Sequence, residues 1–133
     1  QRVAAATLCE VASANAAASE QARQLTPAVV KALRSSGLVG MLAPRPLGGG
    51  ERPVAELLET CLIVGRADTS TAWVTAFYAL HSWLAGLFPP AARAGLFASG
   101  PDVFAPATFS PSASAIKACS LSLTPRCSAG VSR

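Results

Sequence analysis

Asp68-Thr69-Ser70-Thr71-Ala72-Trp73-Val74-Thr75-Ala76-Phe77-Tyr78-Ala79-Leu80-His81-Ser82-Trp83-Leu84-Ala85-Gly86-Leu87-Phe88-Pro89-Pro90 is the stretch that decides the fold. Trp73, Phe77, Leu80, Leu84 and Leu87 recur at four-three-four-three spacing, the period of one helix face. The pattern predicts a helix from about Thr71 to Phe88. Asp68, Thr69 or Ser70 caps its start by accepting a backbone N–H. Pro89-Pro90 ends it and opens a short fifth helix that runs to about Ser99-Gly100-Pro101. Val74, Tyr78 and Trp83 make the other faces apolar too, so this helix is expected to be central and the most deeply buried. A membrane span needs roughly 20 mostly apolar residues. The run from Ala72 to Phe88 is shorter and carries Thr75, His81 and Ser82, so a buried helix of a soluble protein is the expectation.

The preceding chain punctuates into three more helices. Val3 to Leu25 is alanine-rich and free of Gly and Pro, which favours helix. Leu8, Val11, Ala18, Ala22 and Leu25 mark its expected buried face, with Asn15 at the missing step; Glu10, Ser13, Glu20 and Gln24 face water. Thr26-Pro27 starts the second helix, since Thr caps and Pro tolerates the first turn. Val29, Val30 and Leu33 supply its buried side, and Gly37 ends it in the left-handed conformation. Two prolines and three glycines between Ala43 and Gly50 exclude a helix interior there. Gly48-Gly49-Gly50 has no G-K-[ST] after it and no strand before it, so a turn is expected rather than a phosphate loop. Pro53 opens the third helix, to about Arg66, with Val54, Leu57, Leu58, Cys61 and Leu62 as its apolar stripe. Arg45 and Arg52 are expected in solvent.

Beyond Pro101 the texture changes. Val103-Phe104-Ala105 and Ala107-Thr108-Phe109 resemble short strand pieces. From Ser110 to Arg133 there is no aromatic residue and no acid, and poor order is expected from Ser112 onward. The division expected is a helical domain over 1–101 and the beginning of a β-domain with a divergent tail over 102–133. The fold class is mainly α: an up-and-down bundle of about five helices.

Composition narrows the function classes. Of 133 residues, 51% are hydrophobic and only 14% charged, which excludes a disordered solvating chain. The net charge of +4 is small, and Lys117, Arg126 and Arg133 of the tail carry most of the excess; nucleic-acid binding is not expected. Cys9, Cys61, Cys119 and Cys127 are widely spaced and His81 is the single histidine, so neither a metal site nor a disulfide framework is expected. Free thiols suit a cytoplasmic chain.

Three stretches together resemble the acyl-CoA dehydrogenase-like flavoproteins. Leu33-Arg34-Ser35-Ser36-Gly37-Leu38, running on to Pro44 and Leu47-Gly48-Gly49, resembles the signature between the second and third helices of their N-terminal domain. Arg66-Ala67-Asp68-Thr69-Ser70-Thr71-Ala72-Trp73 resembles the junction that opens the central helix. Phe97-Ala98-Ser99-Gly100-Pro101, with Phe104 to Pro111, resembles the passage into the middle β-domain. His81 in Tyr-Ala-Leu-His-Ser-Trp and Thr108-Phe109-Ser110-Pro111 are similar to the two-component flavin-dependent aromatic monooxygenases of the hydroxyphenylacetate hydroxylase type.

That resemblance implies an N-terminal helical portion of a flavin-dependent oxidoreductase using FAD or FMN. It implies a flavin reductase as partner and a small aromatic substrate hydroxylated with O2. His81 is then the catalytic candidate, polarising or deprotonating a phenol, as suits an imidazole; one position from the Leu80 stripe, it also reads as a satisfied core histidine. Thr108 is the cofactor-binding candidate, and Trp73 and Phe77 are candidates for the substrate pocket. The same resemblance leaves acyl-CoA dehydrogenation as an alternative. The strand texture and helical bundle that complete the family's flavin site have no counterpart here, so a truncated chain, inactive alone, is expected. A third reading is a non-catalytic helical interaction domain that self-associates into a homo-oligomer.

Overall fold

A computed structural model describes residues 2–105 of the chain. Five helices follow in order: α1 (Arg2–Ala22), α2 (Pro27–Ser36), α3 (Val54–Gly65), α4 (Thr69–Gly86) and α5 (Pro90–Leu96). Two short 3-10 turns, Val39–Met41 and Arg45–Leu47, join α2 to α3. The described residues are mainly helical and contain no strand, in keeping with the expected bundle. Ser112 to Arg133, and with it the expectation of poor order, lies outside the described residues, as do Thr108, Cys119 and Cys127.

Most expected boundaries hold, each for a local reason, but α1 ends at Ala22 rather than Leu25, and α5 ends at Leu96 rather than near Ser99-Gly100-Pro101. Thr26 caps α2 by accepting the Val29 N–H, and its own hydroxyl donates to Asn15 Oδ1 at 3.0 Å. Gly37 closes α2 at φ 67°, where a Cβ would be strained. Among the candidates before α4 the cap is Asp68, whose carboxylate accepts from Thr71 N at 2.7 Å and from the Thr71 hydroxyl.

Packing runs α1 against α2 and α3, α3 against α4, and α4 against the first 3-10 turn. One core joins Ala5, Leu8, Val29, Leu33, Leu38, Val39, Val64 and Ala72; a smaller one joins Met41, Leu42, Leu57 and Ala79.

Three expected faces are rotated. In α1 the buried line is Ala5, Leu8, Ala12 and Ser19, while Ala18 and Ala22 are exposed. Ser19 turns inward because its hydroxyl accepts the Thr26 N–H at 3.3 Å at the corner with α2. In α3 the buried residues are Leu57, Thr60 and Val64; Val54, Leu58 and Leu62 point outward, Leu62 being 70% exposed. The Thr60 hydroxyl meets its need internally by donating to Glu56 O at 2.8 Å.

The largest correction concerns α4. It buries Thr71, Ala72, Thr75, Ala79, Ser82, Ala85 and Gly86, while Trp73, Leu80, Leu84 and Leu87 of the expected core stripe are exposed. Small side chains let neighbours approach closely. At Gly86 a Cβ would stand 2.6 Å from Pro44 Cδ, so the connecting loop sits directly on the helix backbone. Val103-Phe104-Ala105 is not a strand. The Val103 N–H is taken by the Ser82 hydroxyl and by Pro101 O instead of by a neighbouring strand; Ala107-Thr108-Phe109 lies outside the described residues.

Candidate functional site

Trp73, Phe77 and His81 lie four residues apart on α4, so they stack along its outer face. The Trp73 and Phe77 rings are 6.4 Å apart, and the Phe77 and His81 rings 3.9 Å. Phe77 also meets Tyr78 edge-on at 5.7 Å, and Tyr78 packs on Phe104 at 4.9 Å. Arg34 of α2 covers the Phe104 ring, its guanidinium carbon 4.2 Å from the centroid. Trp73, Phe77, Tyr78, Phe104 and Arg34 together border a cleft of about 620 Å³ between α2 and α4. The expected pocket residues Trp73 and Phe77 line this cleft, while His81 packs on Phe77 without lining the cleft itself.

His81 is half-buried, and its Nδ1 stands 2.8 Å from Ala105 O. Ala105 belongs to the stretch that returns from α5 across α4. Ser82 anchors it: the hydroxyl lies 3.3 Å from Pro101 O and 3.2 Å from Val103 O, and accepts Val103 N–H at 3.2 Å. Asp102 adds a second tie, its Oδ1 accepting Gly40 N–H at 2.8 Å. Neither Ser82 nor Asp102 was singled out by sequence reasoning for this role. The available signal was a serine adjoining the single histidine and an acid directly after Gly100-Pro101.

The glycine-rich loop is a turn, as expected. The N–H groups of Gly48, Gly49, Gly50, Glu51 and Arg52 all donate to carbonyls of residues 40 to 45, at 2.9 to 3.1 Å. None is left for a phosphate. The described residues therefore offer an aromatic wall for a planar ring, and this loop offers no cradle for a flavin's phosphates. Arg45 and Arg52 are exposed, within 3.7 Å of Glu51 and 3.8 Å of Glu56.

The two described cysteines take no part in this face. Burial pushes the Cys61 thiol above its ordinary value of 9.0. Burial first, and then the neighbouring Glu10 carboxylate, push Cys9 the same way. Both thiols are free, and among the described residues no group of His, Cys, Asp or Glu could hold a metal. No described helix is long and apolar enough to cross a membrane.

Over 106 residues the chain is 30% identical to the oxygenase component of an FADH(2)-dependent resorcinol hydroxylase from Rhizobium sp. (strain MTP-10005). The match covers 80% of this chain and 26% of that protein, so the chain spans about a quarter of the length of the curated relative it matches. No protein-family model matches the chain, and no solved structure matches it. The similarity lies with a flavin-dependent aromatic hydroxylase.

Proposed function

We propose that this chain is a helical portion of the oxygenase component of a flavin-dependent aromatic hydroxylase. The wider kinship with acyl-CoA dehydrogenase-like flavoproteins is part of the same proposal. The observation that carries it is the outward row Trp73–Phe77–His81 on a segment similar to a resorcinol hydroxylase oxygenase. Aromatic walls receive a flat ring through stacking and area burial. An imidazole within hydrogen-bond reach of a phenol accepts its proton and raises electron density on the ring carbon to be hydroxylated. The overall reaction takes reduced flavin, O2 and a phenol to the hydroxylated phenol, oxidised flavin and water. A flavin reductase supplies the reduced flavin, FAD or FMN, and Thr108 contributes to the flavin site. Acyl-CoA dehydrogenation and a purely structural module receive no support from the similarity.

The test sets this segment into the matching position of the resorcinol hydroxylase oxygenase component and supplies reduced flavin, O2 and resorcinol. Hydroxylated product is expected, with a loss of at least about a hundredfold in His81→Ala, the scale of a general base. A soluble hybrid that binds reduced flavin yet makes no hydroxylated product contradicts the proposal, as does enoyl-CoA formed from an acyl-CoA.

A further inference from the structure

A carbonyl oxygen only accepts, so the 2.8 Å contact with Ala105 O puts the proton of neutral His81 on Nδ1. Nε2 then carries the lone pair. A mobile backbone carbonyl would choose a tautomer poorly, because it can move away when the ring turns. Here the carbonyl follows a stretch tied down at successive residues. Pro101 and Val103 bond to the fully buried Ser82 hydroxyl, Asp102 bonds to Gly40 N, and Phe104 is held between Tyr78 and Arg34. Ser82 follows His81 in sequence and lies about 100° further round α4, so the two side chains meet the same returning segment, Ser82 buried beneath it and His81 half-buried at its edge. One turn of α4 therefore carries both the imidazole and the anchor of its partner.

We infer that Ser82 and Asp102 are positioning residues that fix His81 as the Nδ1–H tautomer, leaving Nε2 as the nitrogen that accepts a proton from the aromatic substrate. The role of Nε2 rests on the proposed function; the tautomer does not. Phe77, packed on the imidazole at 3.9 Å, limits rotation of the ring out of this contact.

Because the chain has a single histidine, long-range ¹H–¹⁵N spectra report His81 without ambiguity. They are recorded on the whole chain at a pH where the imidazole is neutral, with far-UV circular dichroism as the check on folding. The wild type is expected to show a protonated Nδ1 and an unprotonated Nε2. Ser82→Ala and Asp102→Ala are each expected to shift the tautomer ratio toward Nε2–H by on the order of fivefold, the factor one ordinary hydrogen bond commands. If Ser82→Ala loses its helices, Asp102→Ala decides, since Asp102 is only half-buried and its side chain meets a backbone N–H of the first 3-10 turn rather than a helix. An Nε2–H wild type overturns the inference, and so does a folded Asp102→Ala with an unchanged ratio. A shifted ratio in a protein that fails the hydroxylation test would sink the proposed function and leave the positioning roles standing.

Discussion

The two sides of α4 differ in kind. Inward lie Thr71, Ala72, Thr75, Ala79, Ser82, Ala85 and Gly86, all small; outward lie Trp73, Leu80, Trp83 and Leu84, with Leu87 just past the helix end, all large, Trp73 being 63% exposed. A helix that put its largest apolar residues into its own core would have the reverse arrangement. The small side sets stability, through close approach to α3, the 3-10 turn and Pro44. The large side belongs to neither core cluster, and its side chains stand 41–63% exposed, open to contacts other than the core. The difference teaches that residue size alone does not say which side of a helix a protein buries.

Substitutions can break that comparison. The largest effect is expected on the small side. Ala79 is completely buried, so Ala79→Leu should destabilise the chain by about 3 kcal/mol through overpacking, read as a lower urea midpoint. A stability loss under about 0.5 kcal/mol, the level of an ordinary surface change, would mean that the small side is not the packed one. Next comes the end that orients both sides. Asp68→Ala removes the cap and the Thr71 contact, and should cost about 1–2 kcal/mol by the same measure. On the large side, Leu84→Ala should stay within about 0.5 kcal/mol of wild type, despite losing more apolar volume than either.

The smallest expected effect concerns pH. Cys61, packed where its Sγ approaches Ala72 O at 3.9 Å, has its thiol raised above 9.0 by burial. A raised thiol is protonated more readily in the folded chain than in the unfolded one. Its contribution to stability is therefore complete below pH 9.0 and is lost as pH rises through the folded value. Urea midpoints taken from pH 8 to pH 10 should fall less in Cys61→Ser than in wild type. An equal fall in both would remove Cys61 from the account.

The contrast also shows what the sequence made legible. Helix ends were readable because each rests on local chemistry: Thr26 with Pro27, Gly37, Asp68, and Pro89-Pro90. Helix faces were not. Leu84 and Leu87 fit the helical period as well as Ala79 and Ser82 do, and amphipathic reasoning favours the larger set. Only tertiary contacts, such as Pro44 seated on Gly86, select the smaller one. At the site, the four-residue spacing of Trp73, Phe77 and His81 aligned them once α4 was known. The Ala105 carbonyl was out of reach, because a backbone acceptor brought in by a loop leaves no mark in side-chain pattern. Ser82 and Asp102 were obscured for a related reason: their partners are backbone groups, and Asp102 bonds to a residue 62 positions away in sequence, Gly40.

If the outer side of α4 is the side that receives a phenol, a titration with one reveals it. Backbone and side-chain NMR shifts of the whole chain are followed as resorcinol is added. Saturable shifts confined to Trp73, Phe77, His81 and the neighbouring Tyr78 and Phe104, weakened in His81→Ala, are predicted. No saturable shift at these residues, or shifts centred on the small side around Ala79, would contradict it.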